Sequence, residues 1–139
     1  MNSHRNTLVQ LRLKQASDAI NDATFLLDQR RSSQSVVNRA YYAMFYSALA
    51  LLQYVSKAPS KHSGVISLFD TEFVMKGIFP KEMSKDIHLI FEMRQNADYK
   101  ATEEISADKA SEACAKAQRF VVNVSQYLSD NLEQGRDPG

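Results

Sequence analysis

Helix breakers are nearly absent between Met1 and Leu132: proline stands there only at 59 and 80, and glycine only at 64 and 77. Glycine and proline are the two residues that cost most inside a helix. The chain is therefore bound to a few long helices that can change direction at those points. A first helix is expected from about Thr7 to Arg30, with Leu8, Leu11, Ala16, Ala19, Ile20, Ala23, Leu26 and Leu27 at helical spacing. Arg30-Arg31-Ser32-Ser33 interrupts it, and a serine there can cap a second helix from about Gln34 to Ser56. Pro59 disfavours helix at the residue before it. A third, shorter helix is expected from about His62 to Met75, closed by Gly77-Ile78-Phe79-Pro80 with Gly77 as the left-handed terminator. A fourth should span Lys81 to Asp98. A fifth, capped by Ser106, should run to about Leu132 on the stripe Ala110, Ala113, Cys114, Ala117, Phe120, Val121, Val124 and Leu128. Residues 133–139 are expected to fray. No strand pattern competes. The expectation is a single all-α domain over residues 1–139, an antiparallel up-and-down helical bundle of four main helices and one short one.

Hydrophobic residues make up 44% of 139, enough for one core, while a net charge of +1 gives no bulk attraction to nucleic acid or membrane. Any RNA contact needs a local basic patch or a groove shared between subunits. The lone Cys114 cannot form an internal disulfide, which fits a reducing, cytoplasmic compartment. No apolar run approaches the ~20 residues of a membrane span. There is no Cys-x-x-Cys, no histidine pair at metal spacing and no glycine-rich phosphate loop, so neither cofactor nor metal is expected.

Two features depart from an ordinary bundle. The fourth helix has an apolar stripe of Met83, Ile87, Ile90, Phe91 and Ala97, and Arg94 and Asp98 fall on that same stripe. Buried charge is costly unless paired or functional. The two residues form either an inward ion pair that fixes helix register, with Arg39 competing for the carboxylate, or part of a site. The second helix places Val37, Tyr41, Met44, Phe45, Ala48, Leu52 and Val55 on its core stripe. Its opposite side carries Asn38, Arg39, Tyr42, Tyr46, Leu49 and Gln53, where lysine and glutamate would be usual. Such a helix is central in its fold or lies in a dimer interface.

The segment Asn38-Arg39-Ala40-Tyr41-Tyr42-Ala43-Met44-Phe45-Tyr46 resembles the second-helix signature of the HEPN superfamily. Lys61–Ile66, Phe73-Val74 and Gly77–Glu82 resemble a branch of small stand-alone prokaryotic HEPN proteins, and Arg94-Gln95-Asn96-Ala97-Asp98-Tyr99 resembles its version of the family motif. The resemblance spans about Arg12 to Leu128. It implies a helical bundle that forms a homodimer through the motif helices. It also implies a role of the toxin–antitoxin or defence kind, with RNA or nucleotide as ligand and, in some members, a small nucleotidyltransferase as antitoxin partner. Many HEPN proteins are metal-independent ribonucleases using Arg-x4-His. Here the arginine is Arg94, but Tyr99 holds the histidine position, and a phenol with a pKa near ~10 is a poor base at neutral pH. Ribonuclease activity is then absent or altered, or it draws on another imidazole. His62, at the start of the third helix, is the candidate; its alternative is to cap or pack that helix start. The expected site is Arg39, Tyr42, His62, Arg94, Asp98 and Tyr99, with Arg94 and His62 as the catalytic pair if there is one. His88 should face solvent and His4 lies in a frayed end.

Overall fold

A computed structural model describes residues 3–57, 59, 61–99 and 104–133. Among the described residues five α-helices carry the fold: α1 (Ser3–Asp28), α2 (Ser33–Leu52), α3 (His62–Phe69), α4 (Lys81–Tyr99) and α5 (Ala107–Glu133). Among the described residues there is no strand, and no helix is long and apolar enough to cross a membrane.

The centre of the bundle is α2. Its largest contacts are with α1 and α5, and it also meets α3 and α4. Ala40, Ala43, Ala48 and Ala50 of α2 are fully buried, as are Ala16 and Ala23 of α1 and Ala110 and Ala117 of α5. Small side chains let helix axes approach closely, and Val36, Tyr41, Met44 and Leu51 fill what remains. The helix is central, yet Asn38, Arg39, Tyr42, Tyr46, Leu49 and Gln53 form a strip that stays only half-covered.

Local chemistry sets the helix ends. Ser32 caps α2, its side chain accepting from the Ser35 amide at 3.3 Å. Ser106 does the same for α5 through the Lys109 amide at 3.1 Å. Gly77 sits at φ 79°, with its amide on the Val74 carbonyl at 3.0 Å and the Ile78 amide on the Phe73 carbonyl at 2.9 Å. This pair of bonds is the Schellman closure, as the glycine predicts.

Other details differ from expectation. Helix α1 begins at Ser3 and stops at Asp28, where Arg30, at φ 55°, takes the left-handed position without being glycine. The Arg31 amide reaches the Leu26 carbonyl at 2.9 Å and the Arg30 amide reaches Leu27 at 3.1 Å, closing the helix in the same manner. Leu11 is 47% exposed and Val9 is buried instead, because the buried stripe of α1 runs through Val9, Ala16, Ile20 and Ala23. Helix α2 ends at Leu52, not Ser56; Tyr54 and Val55 turn back on Leu51 and Leu52, each at 3.1 Å, in tight three-residue bonds. The third helix does not continue uniformly to Met75. After Phe69 it widens into a π-helical turn over Asp70–Val74, marked by the Met75 amide on the Asp70 carbonyl at 2.8 Å. Asp86 on α4, which no periodicity singles out, is 8% exposed and faces Lys116 of α5 at 3.8 Å. Burial pushes its carboxyl pKa up, with Lys116 and Arg119 opposing.

Candidate functional site

Three elements converge on one group of aromatic and cationic side chains: the middle of α2, the first residue of α3 and the last third of α4. Successive residues Tyr41 and Tyr42 point to different sides of α2, since neighbours on a helix lie about 100° apart. Tyr41 enters the core and is fully buried, while Tyr42 lies on the half-covered strip. Arg94, on the apolar stripe of α4, reaches across to both. Its guanidinium carbon is 5.2 Å from each tyrosine ring centroid, and Nη2 donates to the Tyr42 hydroxyl at 3.2 Å. Arg39 approaches Tyr42 as well, also at 5.2 Å, and donates through Nε and Nη2 to the Asn38 amide oxygen at 3.3 and 3.0 Å. Two cations from different helices thus meet at one aromatic ring.

His62 packs against the same tyrosine pair. Its ring stacks on Phe45 with centroids 4.1 Å apart, and its Nδ1 is 2.9 Å from the Tyr41 hydroxyl. Burial lowers the imidazole pKa, and the positive charge of Arg94 lowers it further, so the ring is neutral at physiological pH. The Tyr41 phenol is driven the other way: burial pushes its pKa up, with Arg94 opposing. Between them the two groups offer a neutral imidazole and a protonated phenol beside a guanidinium. A shallow depression lined by Leu26, Gln34, Ser35, Asn38 and Arg39 adjoins the strip. A more enclosed groove between α4 and α5 is lined by Leu89, Met93 and Ala113 together with Lys109, Glu112 and Lys116.

The model of the HEPN domain family matches residues 9–127. The chain belongs to the HEPN family. A protein of Thermotoga maritima, bearing the name UPF0332 protein, is 33% identical over 128 residues, covering 92% of this chain and 96% of the relative. Two proteins of Methanocaldococcus jannaschii carry the name "putative toxin". One is 37% identical over 102 residues, 73% of this chain and 69% of its own. The other is 33% identical over 110 residues, 79% and 81% respectively.

Of the six residues expected at a HEPN site, four come together: Arg39, Tyr42, His62 and Arg94. Asp98 and Tyr99 close α4, but their side chains lie outside the described residues, and so does the expected Arg94–Asp98 pair. His88 faces solvent as expected, and its Nε2 meets Asp70 of the π turn at 2.6 Å. Tyr41 and Phe45 were legible only as core positions of this HEPN chain. The available signal for Tyr41 was its hydroxyl, since a phenol placed on a core stripe needs a buried partner.

Proposed function

We propose that this HEPN protein is a toxin-type module that holds the phosphate of an RNA or nucleotide between Arg39 and Arg94, at a cleft beside a homodimer interface. The observation that carries the proposal is the meeting of two guanidinium groups at the Tyr42 ring, each 5.2 Å from its centroid. A phosphate at that ring would be attracted by both positive charges. Guanidinium forks also match phosphate oxygens in bidentate fashion. The toxin names of two relatives support the biological class and, with it, an antitoxin partner; a small nucleotidyltransferase is the partner we propose. The half-covered strip of α2 supports a homodimer, with Tyr46 and Leu49 contributing apolar area. Fluorescence anisotropy with a short single-stranded RNA tests the binding. Affinity should fall at least about tenfold in Arg94→Ala and should weaken with added salt. Equal affinity in wild type, Arg39→Ala and Arg94→Ala would refute the site.

A second reading is favoured by one arrangement: the His62 imidazole packs against the same two tyrosines that Arg94 covers, where burial and Arg94 lower its pKa. A neutral imidazole beside an arginine is the equipment of a metal-independent endoribonuclease, in which His62 would take the place of the motif histidine. In nuclease-free preparations, RNA cleavage should then be lost in both His62→Ala and Arg94→Ala. Cleavage that persists in both excludes this reading.

A further inference from the structure

We infer that Tyr41 is a positioning residue for His62: its buried hydroxyl donates to Nδ1 across 2.9 Å and makes the ring present Nε2–H as a hydrogen-bond donor to phosphate. The inference deepens the proposed function and rests on it for the identity of the ligand. Its physical basis is the fate of one proton. The Tyr41 phenol is fully buried, and among the described residues its hydroxyl has one hydrogen-bond partner, Nδ1 of His62. Were Nδ1 to carry the hydrogen and donate to the phenol oxygen, the phenol's own proton would be stranded in the core. A buried donor without an acceptor is strongly disfavoured. The phenol therefore donates, Nδ1 keeps its lone pair, and the hydrogen of the neutral imidazole sits on Nε2.

The plane of the ring is fixed by other contacts. Phe45 stacks on it at 4.1 Å, and Tyr42 meets it edge-on at 6.0 Å. An imidazole held in this tautomer has a donor at Nε2 and no lone pair there. While the Tyr41 bond lasts, the ring can help Arg94 hold a phosphate oxygen, but it cannot accept the proton of a 2′-hydroxyl through Nε2. This geometry weighs against the endoribonuclease reading and in favour of binding.

Histidine-labelled protein examined by long-range proton–nitrogen correlation spectra reads the tautomer directly, with no ligand present. Near neutral pH the wild type should show His62 protonated at Nε2 and bare at Nδ1. Tyr41→Phe removes one oxygen and keeps the ring stack; its His62 should move toward a mixture of tautomers, and its affinity for the single-stranded RNA should drop about three- to tenfold. His62→Gln, which retains a side-chain N–H, should bind RNA more tightly than His62→Ala. Protonation at Nδ1 in the wild type would overturn the inference, as would spectra identical in wild type and Tyr41→Phe. If Tyr41→Phe fails to fold, the wild-type spectrum by itself still decides between the two tautomers. A protein that binds no RNA would bring down the proposed function, while the tautomer would remain measurable.

Discussion

Two aromatic clusters meet the short helix α3, one at each end. At its C-terminal end Phe69 packs with Phe73, Phe79 and Phe120, ring centroids 5.1 to 6.3 Å apart, and all four side chains are buried. At its N-terminal end His62 packs with Tyr41, Tyr42 and Phe45 at 4.1 to 6.0 Å, with Arg94 lying over the two tyrosines. Ring spacing is similar in both. The chemistry differs: the four buried rings of the first cluster are hydrocarbon, with the half-buried Tyr127 meeting Phe79 at 5.3 Å on its edge, whereas the second brings two phenols, an imidazole and guanidinium groups together. Phenylalanine alone supplies area at no desolvation cost. Polar tips and charges placed where hydrocarbon would pack as well mark a candidate site.

The sharpest way to break this contrast is to empty each cluster in turn. Phe69→Ala should cost about 3–5 kcal/mol of stability, measured by urea or thermal unfolding. A loss below about 1 kcal/mol would mean that the phenylalanine cluster does not anchor the fold. Arg94→Ala should do the reverse, with a cooperative unfolding transition retained and RNA affinity down at least about tenfold. Arg30 belongs to neither cluster and serves as a control on the backbone. A non-glycine residue in the left-handed region costs roughly 1–2 kcal/mol, so Arg30→Gly should raise stability by up to about 1 kcal/mol with RNA affinity unchanged. Acidification should produce the smallest effect and sharpens the contrast most finely. His62 binds its proton less tightly in the folded protein than in the unfolded chain, because of burial and Arg94. Stability should therefore be full above pH ~6.5 and decline as the pH falls below that value toward the lowered folded-state pKa. His62→Gln should lose that part of the pH dependence, as unfolding curves at neutral and mildly acidic pH would show.

The phenylalanine side of the molecule and the bundle around it are largely written in local pattern. Every residue of the expected α5 stripe from Ala110 to Leu128 is buried, as are Met83, Ile87 and Ile90 of α4. Ser32, Ser106 and Gly77 end their helices where capping chemistry places them. In these cases the deciding interaction lies within a turn or two of the residue itself. The left-handed Arg30 and the π turn at Asp70–Val74 were not legible, because arginine carries no turn signal and Asp-Thr-Glu-Phe-Val reads as ordinary helix. The site was legible in part. Residue chemistry and the family pattern singled out Arg39, Tyr42, His62 and Arg94, but the bond between Tyr41 and His62 spans 21 positions and exists only once α2 and α3 have packed. Helical spacing assigned Tyr41 to the core correctly and could not say where its oxygen would go.

The wide turn after Phe69 sets a phase relation along the chain. The loop of backbone closed between Asp70 and Met75 holds one residue more than an α-helical turn. Were these same residues to tighten to the ordinary pitch, everything before the turn would rotate by about 100° relative to everything after it. Phe69 and Phe73 could be refitted by repacking, since hydrocarbon is tolerant of orientation. His62, whose two ring nitrogens are not equivalent, would be turned away from Tyr41 and Arg94. A chain tightened in this way could keep a helical circular-dichroism spectrum and still have lost the contacts of His62, so the pitch of this one turn constrains the chain as much as the identity of its residues does.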